Sequence, residues 1–337
     1  MQDQLNIKNA RRLLVLLAAA LICSLPQLGN GEPLQKSTPA EMVDALNGVF
    51  GKQTTGRAVH AEGIVVEGSF TPDPAASALS KAPHLQKSKV KVTGRFSNFA
   101  GLLVVPDTDP LASPRGLALK FHLPDGSDTD LVTHSFNGFP AATADEFRAF
   151  LTALGTSGSG TAAPTPADKY LAAHPLAKNF LATQPGPPVS FGTISYFGVN
   201  AFKFTNAAGT TTFARYRIEP VKGERFLSKG EIAAASPDYL QEELRQRLPG
   251  NPLRFNFVAQ IAEHGDRLDD PSIAWPDSRK RVQLGMIEFD SVATDSMARE
   301  QALLFLPMAL PSGIEAADPM LKARHDAYPV SFARRHQ

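Results

Sequence analysis

Residues 318–329 read Asp318-Pro319-Met320-Leu321-Lys322-Ala323-Arg324-His325-Asp326-Ala327-Tyr328-Pro329, closely preceded by Pro311-Ser312-Gly313-Ile314-Glu315. A helix starting at Asp318 puts Arg324 and Tyr328 four residues apart on one face. A guanidinium against a phenol oxygen favours the ionised form, because opposite charge stabilises the anion. By spacing alone, the commoner arrangement is a surface arginine lying over an aromatic ring near the C-terminus.

A second cluster stands far upstream: Gly56-Arg57-Ala58-Val59-His60-Ala61-Glu62-Gly63. Around these two clusters the chain offers little other chemistry. Its eight histidines form no HExxH pattern, so zinc hydrolysis is poorly supported. No GxSxG elbow or phosphate-cradling loop is present, and the Gly-rich stretches lack the strand–turn–helix setting of a dinucleotide site. Asp128 and Asp130 read as solvated loop carboxylates. The single cysteine, Cys23, excludes an internal disulfide framework and a cysteine-held iron–sulfur cluster. Any difficult chemistry therefore falls to a bound cofactor. A phenolate is a hard anionic donor suited to ferric iron, and tyrosine is among the protein ligands of haem.

Both clusters resemble the haem catalase family. That family carries arginine–x–x–histidine–alanine–x–glycine near its start. On the proximal side it carries glycine–isoleucine–glutamate, methionine–leucine and arginine–x–x–x–tyrosine–proline. Between them this chain keeps, in the family's order, Arg95-Phe96-Ser97, Pro114-Arg115-Gly116-Leu117-Ala118-Leu119-Lys120-Phe121, Asp130-Leu131-Val132, Gly198-Val199-Asn200-Ala201-Phe202-Lys203-Phe204, Asp238-Tyr239 and Trp275-Pro276. The resemblance runs from about Arg57 to the C-terminus.

The resemblance implies an α+β fold, with haem b inside an antiparallel eight-stranded β-barrel surrounded by helices. It gives His60 the role of distal acid–base and Ser97 that of its hydrogen-bond partner. Tyr328 becomes the axial iron ligand, supported by Arg324. Arg57, Arg95 and Arg335 match arginines that pair with the haem propionates, a task suited to the guanidinium fork. Phe139 and Phe147 match aromatic residues of the distal side. Where catalases carry a distal asparagine, this chain has His134. Either His134 takes a distal role or it is a polar strand end; Asn137 lies nearby, but alternation puts it on the opposite face. The helical region that follows the proximal segment in larger catalases is not expected here, which resembles the short catalase-related peroxidases.

The implied activity is a peroxidase using hydrogen peroxide on small organic donors, with catalase activity reduced by loss of the asparagine. Two alternatives are a haem enzyme acting on organic or fatty-acid hydroperoxides and a non-enzymatic haem-binding protein, which would not need His60.

The 337 residues carry a net charge of +1, so no overall field draws the protein to nucleic acid or to an anionic membrane. Lys8, Arg11 and Arg12 precede the apolar run Leu13–Leu25, which Pro26 breaks. Residues 1–31 therefore read as a secretory signal, with export to the periplasm and no membrane anchorage after cleavage. Residues 32–337 form the expected haem-binding domain. Strand-like runs cover 90–99, 116–123, 130–136, 200–220 (with a hairpin turn at 206–209), 253–262 and 281–292. Helical periodicity covers 144–154, 168–183 and 236–248, the last with Ser236 as N-cap and Pro237 at the first position. Gly155–Pro166 is low in complexity and reads as a flexible loop.

Overall fold

The computed structural model describes residues 36–337; the expected leader lies outside the described residues. Eight strands follow one another as antiparallel neighbours: β1 Gly63–Pro72, β2 Val90–Ser97, β3 Gly116–His122, β4 Asp128–His134, β5 Tyr196–Thr205, β6 Thr211–Pro220, β7 Leu253–Ile261 and β8 Arg281–Val292. Pairing of β8 with β1, and of β4 with β5, closes them into a barrel. The β4–β5 seam is a single bridge, His134 to Phe197. A short strand, β9 Ile314–Ala316, adds to β5. The eight-stranded antiparallel barrel flanked by helices is the expected architecture.

Every strand run expected from alternation is present, whereas β1 and β9 were not expected. In β1 the register against β8 shifts between Glu67 and Gly68, which breaks the alternation that marks a strand. β9 is too short to show a period.

Besides two short helical turns at Ala76–Leu79 and Lys229–Ala234, the helices are α1 Pro39–Phe50, α2 Ala144–Gly155, α3 Pro166–Ala173, α4 Pro175–Ala182, α5 Tyr239–Arg247, α6 Ser296–Ala302 and α7 Met320–Arg334. Thr38 caps α1 with a full capping box to Glu41, and Pro39 occupies its first turn. The single helix expected over 168–183 is two, because His174 leaves helical geometry (φ −125°, ψ 81°) ahead of Pro175. α5 begins at Tyr239, not after Ser236; the Ser236 hydroxyl instead donates to Glu242 at 2.5 Å. Between α2 and α3, Ser157 is buried, donating to Ala153 O (2.7 Å) and accepting from Ala167 N (2.8 Å). Among the described residues no helix is long and apolar enough to cross a membrane.

Inward-facing side chains fill the barrel. Phe70, Phe96, Phe121, Phe204, Phe255, Phe257 and Phe289 are fully buried and belong to one apolar cluster. Beside His84 and Phe121 the void is only ≈ 10 Å³, about the space of one water. A second apolar layer, including Met42, Val43, Leu46, Phe150, Leu151 and Ala327, joins α1, α2 and α7. Asp130, expected as a solvated carboxylate, is buried; it pairs with Lys120 at 2.7 Å and accepts from Leu306 N at 2.7 Å. It pins the segment leading to β9.

Candidate active site

On β2, Val90, Val92 and Phe96 belong to the barrel's interior cluster, so Arg95 and Ser97 project from its outer wall. The same alternation sends Gly116 and Ala118 of β3, and Val132 and His134 of β4, outward. Between this wall and the helical layer lies a cavity of ≈ 900 Å³. Its lining contains Arg57, His60, Arg95, Ser97, His134, Phe139, Phe147, Arg324, Tyr328 and Arg335, the residues expected to form the site. Asn137 is not among the lining residues. β4 ends at His134, so Asn137 lies beyond the strand and alternation does not set its face.

His60 sits at φ +55°, a left-handed conformation that non-glycine residues adopt at a cost. Its backbone is held by Phe99 O, which accepts from His60 N at 2.7 Å, and by Arg95 Nη2, which donates to His60 O at 2.8 Å. The ring Nδ1 lies 2.9 Å from the backbone oxygen of Asn98. A carbonyl can only accept, so Nδ1 carries the proton and Nε2 keeps its lone pair. Ser97 Oγ is also near, at 3.1 Å, but Asn98 O fixes the tautomer; the partner expected from sequence is a secondary one. Burial, with smaller contributions from Arg95 and His134, lowers the His60 pKa to about 3. The imidazole is therefore neutral over the ordinary pH range.

Gly116 makes this packing possible. A Cβ there would stand 2.4 Å from Ser97 Oγ and 2.9 Å from His60 Nδ1. Gly63 similarly leaves room for Arg95, whose Nη2 would lie 2.5 Å from a Cβ.

His134 has the opposite tautomer. Phe136 N donates to its Nδ1 at 3.3 Å, so the proton resides on Nε2. That Nε2 is buried without a hydrogen-bond partner. Burial, then Arg324, lowers the His134 pKa to about 3 as well. Phe139 and Phe180 stand beside its ring, and Phe139 packs on Phe147 at 4.7 Å between centroids.

α7 supplies the other wall. Arg324 donates to Tyr328 Oη from both Nε (3.1 Å) and Nη2 (2.9 Å), as the four-residue spacing predicted. Its Nη1 donates to Asn200 Oδ1 at 2.6 Å, and Asn200 Nδ2 donates to Asp318 Oδ2 at 2.8 Å. Asp318 Oδ1 in turn accepts from Met320 N at the start of α7 (2.8 Å). Asn200 and Asp318 were visible in the quoted motifs without a role; the structure makes them the support of Arg324.

A family model for catalase matches residues 40–336. A catalase-related peroxidase of Mycolicibacterium paratuberculosis is 35% identical over 302 residues, covering 88% of this chain and 95% of its own length. One of Synechococcus elongatus is 30% identical over 329 residues, covering 96% of each. The chain belongs to the catalase family. Catalase-2 of Bacillus subtilis is 27% identical, and only 42% of its length is matched. The fold agrees with that of a solved fungal catalase, at a TM-score of 0.74 and 20% identity, over 94% of this chain and 66% of the fungal one.

Catalase membership implies a haem cofactor, and the cavity's residues fit one. Tyr328 Oη has two donors directed at it, His134 Nε2 and Arg335 Nε are buried without partners, and three arginines meet at one end. The expectation of haem inside the barrel is corrected. The interior is filled by phenylalanines, and the cavity lies against the outer wall.

Proposed function

We propose that this chain is a haem b peroxidase that reduces hydrogen peroxide at the expense of a small organic donor, with weak catalase activity. As a catalase-family member it is an oxidoreductase acting on peroxide. The observation that carries the finer reading is the pair of opposite tautomers in one cavity. His60 presents a lone pair at Nε2, and His134 presents an N–H.

The haem iron, when bound, supplies the electrons that cleave the O–O bond. Tyr328 Oη would hold that iron, with two Arg324 donors directed at the same oxygen. His60 Nε2 accepts the proton of one peroxide oxygen and returns it to the other as that oxygen leaves. Its pKa, lowered to about 3 by burial, keeps it unprotonated at rest, so that the lone pair is available. The His134 N–H steadies the peroxide oxygen. An asparagine would offer a donor and an acceptor, whereas neutral His134 has its acceptor nitrogen committed to Phe136. One peroxide is thus gripped well, and a second, needed as reductant in catalase turnover, is not. Phe99, Phe139, Phe147 and Phe180 line the cavity and suit a small aromatic donor. We further propose export to the periplasm with residues 1–31 as the leader, on the strength of Lys8, Arg11 and Arg12 before an apolar run.

The test follows dye oxidation and oxygen release separately. Replacing His134 with leucine should lower peroxidase kcat/KM about 100-fold by removing one positioned donor. His134→Asn should retain that activity and raise oxygen release relative to it. Oxygen release dominating in the wild type, or insensitivity of both rates to His134, would overturn the reading.

A further inference from the structure

Arg57, Arg95 and Arg335 converge at one end of the cavity, and one carboxylate pairs with the first two. Glu300, on α6, pairs with Arg57 Nη1 and with Arg95, whose Nε donates to Glu300 Oε2 at 2.6 Å. The backbone of the same turn takes further donors. Arg57 Nη2 reaches Glu300 O (3.1 Å) and Leu303 O (3.0 Å), and Arg335 Nη2 reaches Leu303 O (2.7 Å) and Gln301 O (3.2 Å). Arg335 Nε is buried with no partner. Three guanidiniums and one carboxylate leave two positive charges without a counter-ion at this end of the cavity.

Uncompensated buried charge is costly. Burial, then repulsion from Arg95, holds Arg57 well below the ordinary arginine range. Burial also pushes Arg335 down to about 10. At Glu300, burial works against the charged form, yet Arg95 and Arg57 outweigh it and keep the carboxylate ionised.

We propose that Glu300 is a positioning residue: it acts as the third anion of a three-arginine site, holding the guanidiniums together before ligand binds and leaving a charge complement matched to a ligand with two carboxylates. This rests on the haem reading, in which those carboxylates are the propionates. Glu300 lies 243 residues from Arg57 and 205 from Arg95, so it ties α6 to both the distal loop and β2.

The experiment compares the full chain with Glu300→Gln by two readouts that do not use turnover. One is the melting temperature without haem, and the other is the affinity for haem relative to haem dimethyl ester, which carries no carboxylate charge. In Glu300→Gln the haem-free protein should melt about 5 °C lower. Its preference for haem over the ester should rise about ten-fold, the effect of removing one neighbouring like charge from the bound carboxylates. An equal loss of affinity for both ligands would overturn the proposal in favour of a neutral brace. Unchanged melting and preference would make Glu300 a bystander, which also overturns it. If Glu300→Gln yields no folded protein, Glu300→Asp carries the test, with its carboxylate one methylene short of the arginines and a smaller change of the same sign expected. No change in its preference overturns the proposal. A wild-type chain that does not distinguish haem from its ester would refute the carboxylate role of the arginines themselves, a failure distinct from that of Glu300.

Discussion

His60 and Tyr328 enter the same cavity from different walls, and the walls are assembled by different means. His60 and His134 belong to the barrel side, and their rings are oriented by main-chain groups, Asn98 O and Phe136 N. Tyr328 is on α7 and is held through side chains, from Asp318 to Asn200 to Arg324. The two imidazoles on the barrel side are kept uncharged: burial lowers both to about 3. The helical side gathers charge around one oxygen. A group that moves protons must keep a free lone pair, so rigid backbone partners serve it. An oxygen with two donors aimed at it has to be served by side chains, which a helix face supplies.

Breaking the barrel side should have the largest effect. His60→Ala should lower peroxide turnover about 1,000-fold, within the usual range for a positioned acid–base group, while haem remains bound. In the wild type the same rate should stay level from about pH 5 to 8, since an imidazole with a pKa of about 3 does not titrate there. Stability follows a different course. The unfolded His60 and His134 take up protons near their ordinary pKa of 6.5 and the folded ones only near 3, so stability is present above 6.5 and drains as pH falls through that window.

Gly116→Ala sharpens the comparison, because the atoms nearest the added methyl belong to Ser97 and to the His60 ring. Turnover should drop about 100-fold through misplacement of His60. The proximal absorption spectrum should be unchanged; a shifted spectrum would mean that the two walls are not independent. Asn200→Ala addresses the other wall with a smaller effect. Haem affinity should fall about 10-fold as Arg324 loses its acceptor, with the distal pH behaviour intact. An unchanged affinity would remove Asn200 from the support of Tyr328.

What the sequence made legible follows the same division. Arg324 and Tyr328 are four residues apart on one helix, so their contact is local and readable from spacing. The His60 tautomer depends on a backbone oxygen, and no residue type announces a carbonyl. The meeting of Glu300 with Arg57 and Arg95 is non-local and left no pattern. Haem inside the barrel was what the resemblance implied, and the strands themselves could not have corrected it: β2 is buried along nearly its whole length, on both faces. Its alternation predicts a strand but does not say which face lines the core and which the cavity. The split at His174-Pro175 was readable, since proline restricts the residue before it, but the apolar period continues across the break.

The most direct test of the account is the electronic absorption spectrum of the full chain reconstituted with haem, measured beside Tyr328→Phe. The account predicts that the wild type binds one haem and that the variant either loses it or shows an altered iron spectrum, with the protein still folded. Identical spectra and equal haem retention in the two proteins would contradict it.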